Sequence, residues 1–226
     1  PLEPTAKAEK YIVYKRVGNG DFDNGTVVKK TSFTVDIPAD KVVSFKIAAL
    51  NQGGESFPSE ILSVGIASAS QAKPVLVVNG FDRLSAPAVI DTPERQGFDL
   101  DADMGVSYGL TEWNGRQTDF NRSRIGVEGP GGLGYGGEDM AGQFVAGNDF
   151  SYVVSHTEAI ASSGRYNVVS CGKDAVSQGL VSLADYPCVD LILGLERFTP
   201  YSLEYYKTFT PQWQQLLRSY TQQGGN

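Results

Sequence analysis

A chain of 226 residues, 41% hydrophobic and 20% charged, is long enough for one large or two modest domains with buried cores. Two cysteines exclude a disulfide scaffold, and a single histidine, His156, excludes a multi-histidine metal centre. No stretch approaches the ~20 consecutive apolar residues of a membrane span, and a formal net charge of −7 argues against a nucleic-acid binder with a basic patch.

The charge is unevenly placed. Residues 1–72 hold eight Lys/Arg and eight Asp/Glu, whereas residues 73–226 hold eleven against eighteen. This shift places a domain boundary near residue 72. The sequence opens at Pro1 with no visible secretion or lipidation signal, so no targeting segment states its compartment.

Tyr11-Ile12-Val13-Tyr14 is a β-branched and aromatic run that predicts a strand. The turn-forming residues 18–25 follow, then Thr26-Val27-Val28 as a second short strand. Residues 32–37 (Ser32-Phe33-Thr34-Val35-Asp36-Ile37) alternate apolar and polar, as do residues 43–50, and both predict strands. Asn51-Gln52-Gly53-Gly54 reads as a turn and residues 59–66 as a last strand. Short strands separated by frequent turns point to a β-sandwich.

Phe45-x-Ile47-x-Ala49-x-Asn51-x-x-Gly54-Glu55-Ser56-x-Pro58-Ser59 resembles the end of a fibronectin type III domain, and the resemblance covers residues ~8–66. Phe45 stands where that family usually has tyrosine, so the corner hydroxyl bond cannot form. Only about five of the family's seven strands can be counted, so the resemblance implies a partial sandwich over residues 1–66 and a chain that is a fragment. Such modules act as spacers or binding platforms, and Tyr11, Tyr14 and Phe57 are the candidate contact residues.

Residues 67–72, Ala-Ser-Ala-Ser-Gln-Ala, read as a linker. Beyond it, Val75-Leu76-Val77-Val78 is apolar on both faces, the pattern of a buried parallel strand, and residues 167–170 and 189–193 repeat it. Helices are predicted at about 150–162, with Asp149 as N-cap and Gly164 past the end, and at about 174–184. A third starts at Thr210-Pro211 and carries Trp213, Leu216, Leu217 and Tyr220 on one face. Strands alternating with helices predict a flavodoxin- or Rossmann-like parallel sheet over residues 73–226, truncated after its last helix. Residues 84–148 break the alternation as a Gly-rich insertion, placed above the carboxyl edge where ligands bind in open α/β sheets.

Residues 75–83, Gln117-x-Asp119-Phe120-x-Arg122, Val169-Ser170-Cys171 and residues 189–194 resemble the α/β module of secreted bacterial proteins labelled xanthan lyase or cell-wall amidase-like. In that family the module follows a fibronectin-like domain. The resemblance implies export to the periplasm or cell surface, and a polysaccharide or peptidoglycan partner beside other domains of the same polypeptide. The amidase zinc domain of that family has no counterpart here.

Several residue sets are candidates for chemistry. Cys171 sits at a predicted strand-to-helix turn, where the helix N-terminus and Lys173 favour thiolate, although the glycine-flanked nucleophile elbow and later-strand histidine of amidotransferase-like folds are missing. A bridge between Cys171 and Cys188 is excluded by placing them at opposite ends of a parallel strand pair. Asp82 and Glu196 follow strand ends and form the leading carboxylate pair for glycoside hydrolysis, with Asp119 and Glu128 as further choices. Asn79, Arg83, Lys173 and Arg197 are the corresponding binding residues. Asp99-x-Asp101-x-Asp103 with Gly105 resembles the opening of a calcium loop, but Leu110 stands where its closing glutamate belongs. The glycine run 126–137 lacks the lysine and hydroxyl of a phosphate loop, and no cofactor is expected. His156 reads as a helix-surface or half-buried side chain.

The reading that follows is an accessory or binding module with no catalysis of its own. Its rival is a hydrolase using Asp82, Glu196 and Cys171.

Overall fold

The structure is a computed structural model that describes residues 7–56, 58–81, 88–91, 93–94, 96–99, 152–194 and 209–226. Within them lie a mixed eight-stranded sheet, a separate two-stranded hairpin and three α-helices. The strands are β1 (Lys10–Val17), β2 (Thr26–Val28), β3 (Val42–Asn51), β4 (Gly54–Glu55), β5 (Leu62–Gly65), β6 (Lys73–Asn79), β7 (Ala88–Asp91), β8 (Gln96–Asp99), β9 (Tyr166–Gly172) and β10 (Cys188–Ile192). The helices are α1 (Tyr152–Ala161), α2 (Lys173–Ser177) and α3 (Pro211–Gln222), with a 3-10 turn at Leu183–Asp185.

The three two-faced apolar segments lie side by side and point the same way. β6 is central, paired in parallel with β9 through Val75↔Val168 and with β10 through Asp190↔Val77. Alternation along each strand sends side chains to two separate cores. On one face, Leu76, Val78, Cys171 and Val176 pack with Trp213 and Tyr220 of α3. On the other, Val77, Val168 and Ile192 pack with Val153 of α1 and with Phe81, whose ring meets Tyr152 edge-on at 5.9 Å. Burial on both faces is why these strands carry no polar alternation.

β5, β3, β1 and β2 form an antiparallel ladder in that order, and β4 adds to the end of β3. The ladder joins the parallel half through a single antiparallel bridge, Gly65↔Val168. Side chains complete the seam. The Ser170 hydroxyl accepts from Ser63 N–H and donates to Ser63 C=O, both at 2.7 Å, and Ala67 N–H donates to Asn167 Oδ1 at 3.0 Å. One sheet therefore runs across the boundary near residue 72, with residues 67–72 linking β5 to β6.

Three predicted elements differ from the outcome. Residues 32–37 form no strand; they run without a ladder partner, and Phe33 rests edge-on against Phe45 of β3 at 5.9 Å. Alternation marks a face but supplies no neighbour, and a strand needs one. The last strand of this region is shorter than predicted, Leu62–Gly65, because Ser59 and its hydroxyl bond to Ile47 and Glu60 outside the ladder. The helix predicted over about 174–184 stops at Ser177: Gly179 takes φ +72° and Leu180 N–H turns back to Ala175 C=O, a left-handed C-terminal cap. The 3-10 turn occupies the remainder.

The third helix follows its predicted cap. Thr210 accepts from Trp213 N–H at 3.3 Å and Pro211 opens the first turn. α1 ends at Ala161 with Gly164 at φ +65° beyond it, while Asp149 lies outside the described residues. After α3 the chain turns back, and Asn226 exchanges bonds with Pro187 C=O (3.2 Å) and Val189 N–H (2.8 Å) at the open side of β10. Within residues 84–148, the hairpin β7–β8 is described, with Ala88 opposite Asp99.

Candidate functional site at the carboxyl edge of the parallel strands

The ends of β6, β9 and β10 coincide, because Asn79 is in register with both Gly172 and Ile192. Gly80 N–H donates to Ile192 C=O at 2.8 Å, which closes the edge between β6 and β10. This is the edge predicted to hold a ligand crevice.

Asn79 is 3% exposed, and its carboxamide N–H donates to Glu60, which arrives from the segment before β5. Its Oδ1 has no hydrogen-bond partner among the described residues. Gly172 makes room for this contact: a Cβ there would fall 2.5 Å from Glu60 Oε1. The antiparallel half thus inserts an acidic side chain into the carboxyl edge of the parallel half. Glu60 was not foreseen, since nothing local in Ser59-Glu60-Ile61 marks it; only the approach of β5 to β9 does. Lys173 opens α2 directly after Gly172 and has interactions of its own.

Cys171 does not reach this group. It points to the opposite face, 6% exposed, among Leu76, Val78, Val176 and Trp213. Burial pushes its thiol up to about 12, and the negative charge of Glu60 adds to the effect. The expectation that a helix N-terminus and Lys173 favour thiolate is overturned, because α2 is only five residues long and desolvation outweighs both. Cys188 is exposed and both thiols are free. The reason differs from the one expected: β9 and β10 are not neighbours but flank β6. Two strand spacings and a three-residue offset in register separate the cysteines by roughly 14 Å, well beyond the ~7 Å limit for a disulfide.

Asp82, Arg83, Asp119, Glu128, Glu196 and Arg197 lie outside the described residues, as do Asp101 and Asp103. Asp99 ends β8. Among the described residues no group of three His, Cys, Asp or Glu side chains is suited to hold a metal.

The structure adds one pair that sequence reasoning passed over. His156 on α1 and Asp190 on β10 meet at 2.6 Å (Nδ1 to Oδ2), with 44% and 32% of their side chains exposed. With Nδ1–H donating to the carboxylate, Nε2 becomes the acceptor of the ring. A carboxylate that fixes the tautomer of a histidine is the supporting half of a general-base arrangement. A signal for it existed: Asp190 is the one charge inside the apolar run 189–193. Such a charge at the edge of a buried strand needs a partner on the helix above it.

Comparison with known family models, with curated proteins and with solved structures finds no match for this chain.

Proposed function

We propose that the chain is an accessory or binding module of an exported protein that acts on polysaccharide or cell wall, with no catalysis of its own. In this reading residues 1–66 are a partial fibronectin type III-like sheet and residues 73–226 a flavodoxin-like unit. The order β9–β6–β10 suits the second assignment, because the first strand of the unit sits between the next two. The order β5–β3–β1–β2, faced by the unpaired segment 32–37, suits the first.

The observation that carries the reading is the state of the carboxyl edge. Asn79 is buried against Glu60, and Cys171 is turned into the core as a protonated thiol. Neither is offered to a substrate. The seam between the halves is built from backbone, hydroxyl and carboxamide bonds, as befits a rigid platform.

The rival reading, an α/β hydrolase acting on polysaccharide or peptidoglycan, draws on His156 and Asp190, with Asp82 and Glu196 as its carboxylates. Replacing Asp82, Glu196 and His156 with alanine in the parent polypeptide separates the two. Unchanged turnover on cell wall or polysaccharide, with retained adsorption to the insoluble material, is expected of a binding module. A loss of turnover of a hundredfold or more at His156 would establish the hydrolase instead.

A further inference from the structure

At the end of the molecule opposite the carboxyl edge, a cleft of about 500 Å³ opens where α1, β5 and the start of β3 meet. Its volume falls within the ~300–1,000 Å³ of small-molecule sites. Gly18, Asn19, Asp40, Lys41, Glu158 and Ser162 line it.

Negative charge converges on this cleft from two walls. Glu158 projects from the last turn of α1, and no hydrogen bond or ion pair engages its carboxylate among the described residues. The C-terminus of α1 adds the negative end of the helix dipole, equivalent to about half a charge. From the other wall comes Asp40, the one described non-glycine residue with a left-handed backbone, φ +57°. Its N–H is tied to Ile66 C=O at 2.7 Å and its Oδ1 accepts from Ser68 N–H at 2.9 Å. The Ser68 backbone N–H, with the Ser68 hydroxyl, holds the Asp40 carboxyl below the usual range. At this turn before β3 the left-handed region, which Asp tolerates, places a charged side chain on the wall of the cleft. Lys41 and Asn19 add donors that no other described residue engages, suited to hydroxyl or carbonyl oxygens. Among the described residues no aromatic ring lines the cleft, so recognition there rests on charge and hydrogen bonds.

We propose that this cleft binds a primary ammonium group on a small polar ligand, an amino sugar or a short peptide, with Glu158 and Asp40 as its counter-charges. The proposal deepens the binding-module reading and rests on it. Both sources of the amine occur in cell-wall material, and the ring hydroxyls of one or the carbonyls of the other face Lys41 and Asn19.

The test titrates the full chain with glucosamine, N-acetylglucosamine and glycyl-lysine while following backbone amide resonances. Glucosamine, glycyl-lysine or both shift the amides of Gly18, Lys41 and Gly164, and which of them does so identifies the source. N-acetylglucosamine, whose amine is blocked, leaves those amides in place. Glu158→Gln and Asp40→Asn each weaken binding by about tenfold or more, as expected for removal of a charge-assisted bond. Asn suits the left-handed backbone, and Glu158→Gln keeps the size and shape of a half-buried helix side chain, so both variants retain the fold. Equal binding of N-acetylglucosamine, absence of shifts with both amines, or unchanged affinity in both variants overturns the inference. Adsorption to insoluble cell wall is measured alongside: if it persists in the variants, the site is wrong and the module reading stands; if the unaltered chain adsorbs to no wall or polysaccharide, the reading itself fails.

Discussion

In the parallel half, β6 is covered on both faces, by α3 on one side and α1 on the other, and Leu76, Val77 and Val78 are almost wholly buried. The antiparallel half manages less. Val17, Phe33 and Ile47 stay exposed, and on the face of β1 and β3 that carries Tyr14 it buries a cation instead. Lys46 is 6% exposed, with its ammonium 4.4 Å from the Phe22 ring centre and 5.4 Å from that of Tyr14. Arg16 stacks on the other approach to Phe22 at 4.6 Å. Aliphatic stems lie along the sheet while the charges rest on ring faces. The parallel half rests on apolar area on two faces, whereas the antiparallel half buries Val13, Val43, Ala48 and Ile61 and adds polar and cationic contacts.

The sharpest way to break that comparison is a matched pair of truncations. Leu76→Ala is expected to cost about 2–5 kcal/mol, because it leaves a cavity that two helices cannot fill. Ile47→Ala on the open face should cost under about 1 kcal/mol. Urea denaturation reads both, and similar costs would refute the contrast.

The seam comes next in size. Ser170→Ala removes both bonds to Ser63 and leaves a part-buried N–H and C=O without partners, a loss of about 1–3 kcal/mol. Hydrogen exchange at Ser63 should accelerate more than exchange at Val77, the centre of the parallel ladder. Equal acceleration would mean that the two halves open as one unit.

A chemical probe sharpens the picture of the buried face. With its pKa near 12, Cys171 is thiolate in about one molecule in 10,000 at pH 8, so a thiol reagent should modify Cys188 alone in the native protein. Two rapid equivalents without denaturant would show that the face under α3 is open.

The smallest effect concerns Asp40. Its folded pKa is lowered by the bonds to Ser68, so its stabilising contribution is present above the ordinary carboxylate range. That contribution is lost as pH falls through the folded value, below about pH 4. Asp40→Asn should therefore lower stability slightly at neutral pH and flatten the acid limb, so that its profile meets that of the unaltered chain below about pH 4. A profile identical to that of the unaltered chain would dismiss the ionised state of Asp40 as a contributor.

Much of this architecture was legible from local pattern. The apolar runs at 75–78, 167–170 and 189–193 specified parallel neighbours, since only strands covered on both faces dispense with polar residues. Thr210-Pro211 specified a helix start, because its cap involves groups three residues apart. Gly179 as a helix stop was equally local and was passed over in favour of the apolar residues beyond it. The candidate site was less legible. Asn79 was placed at its edge, but Glu60 and the turning of Cys171 toward α3 depend on pairings between segments 19 to more than 40 residues apart.

The sequence by itself determined periodicity, capping and charge balance, because each arises among residues within a turn or a strand of one another. Only the tertiary structure decided which side chains meet: Ser170 with Ser63, His156 with Asp190, Glu60 with Asn79. It also decided that residues 32–37 remain unpaired and that β6 comes between the two cysteines. Strand order and the burial of polar groups depend on long-range partners, and no local pattern encodes a partner's identity.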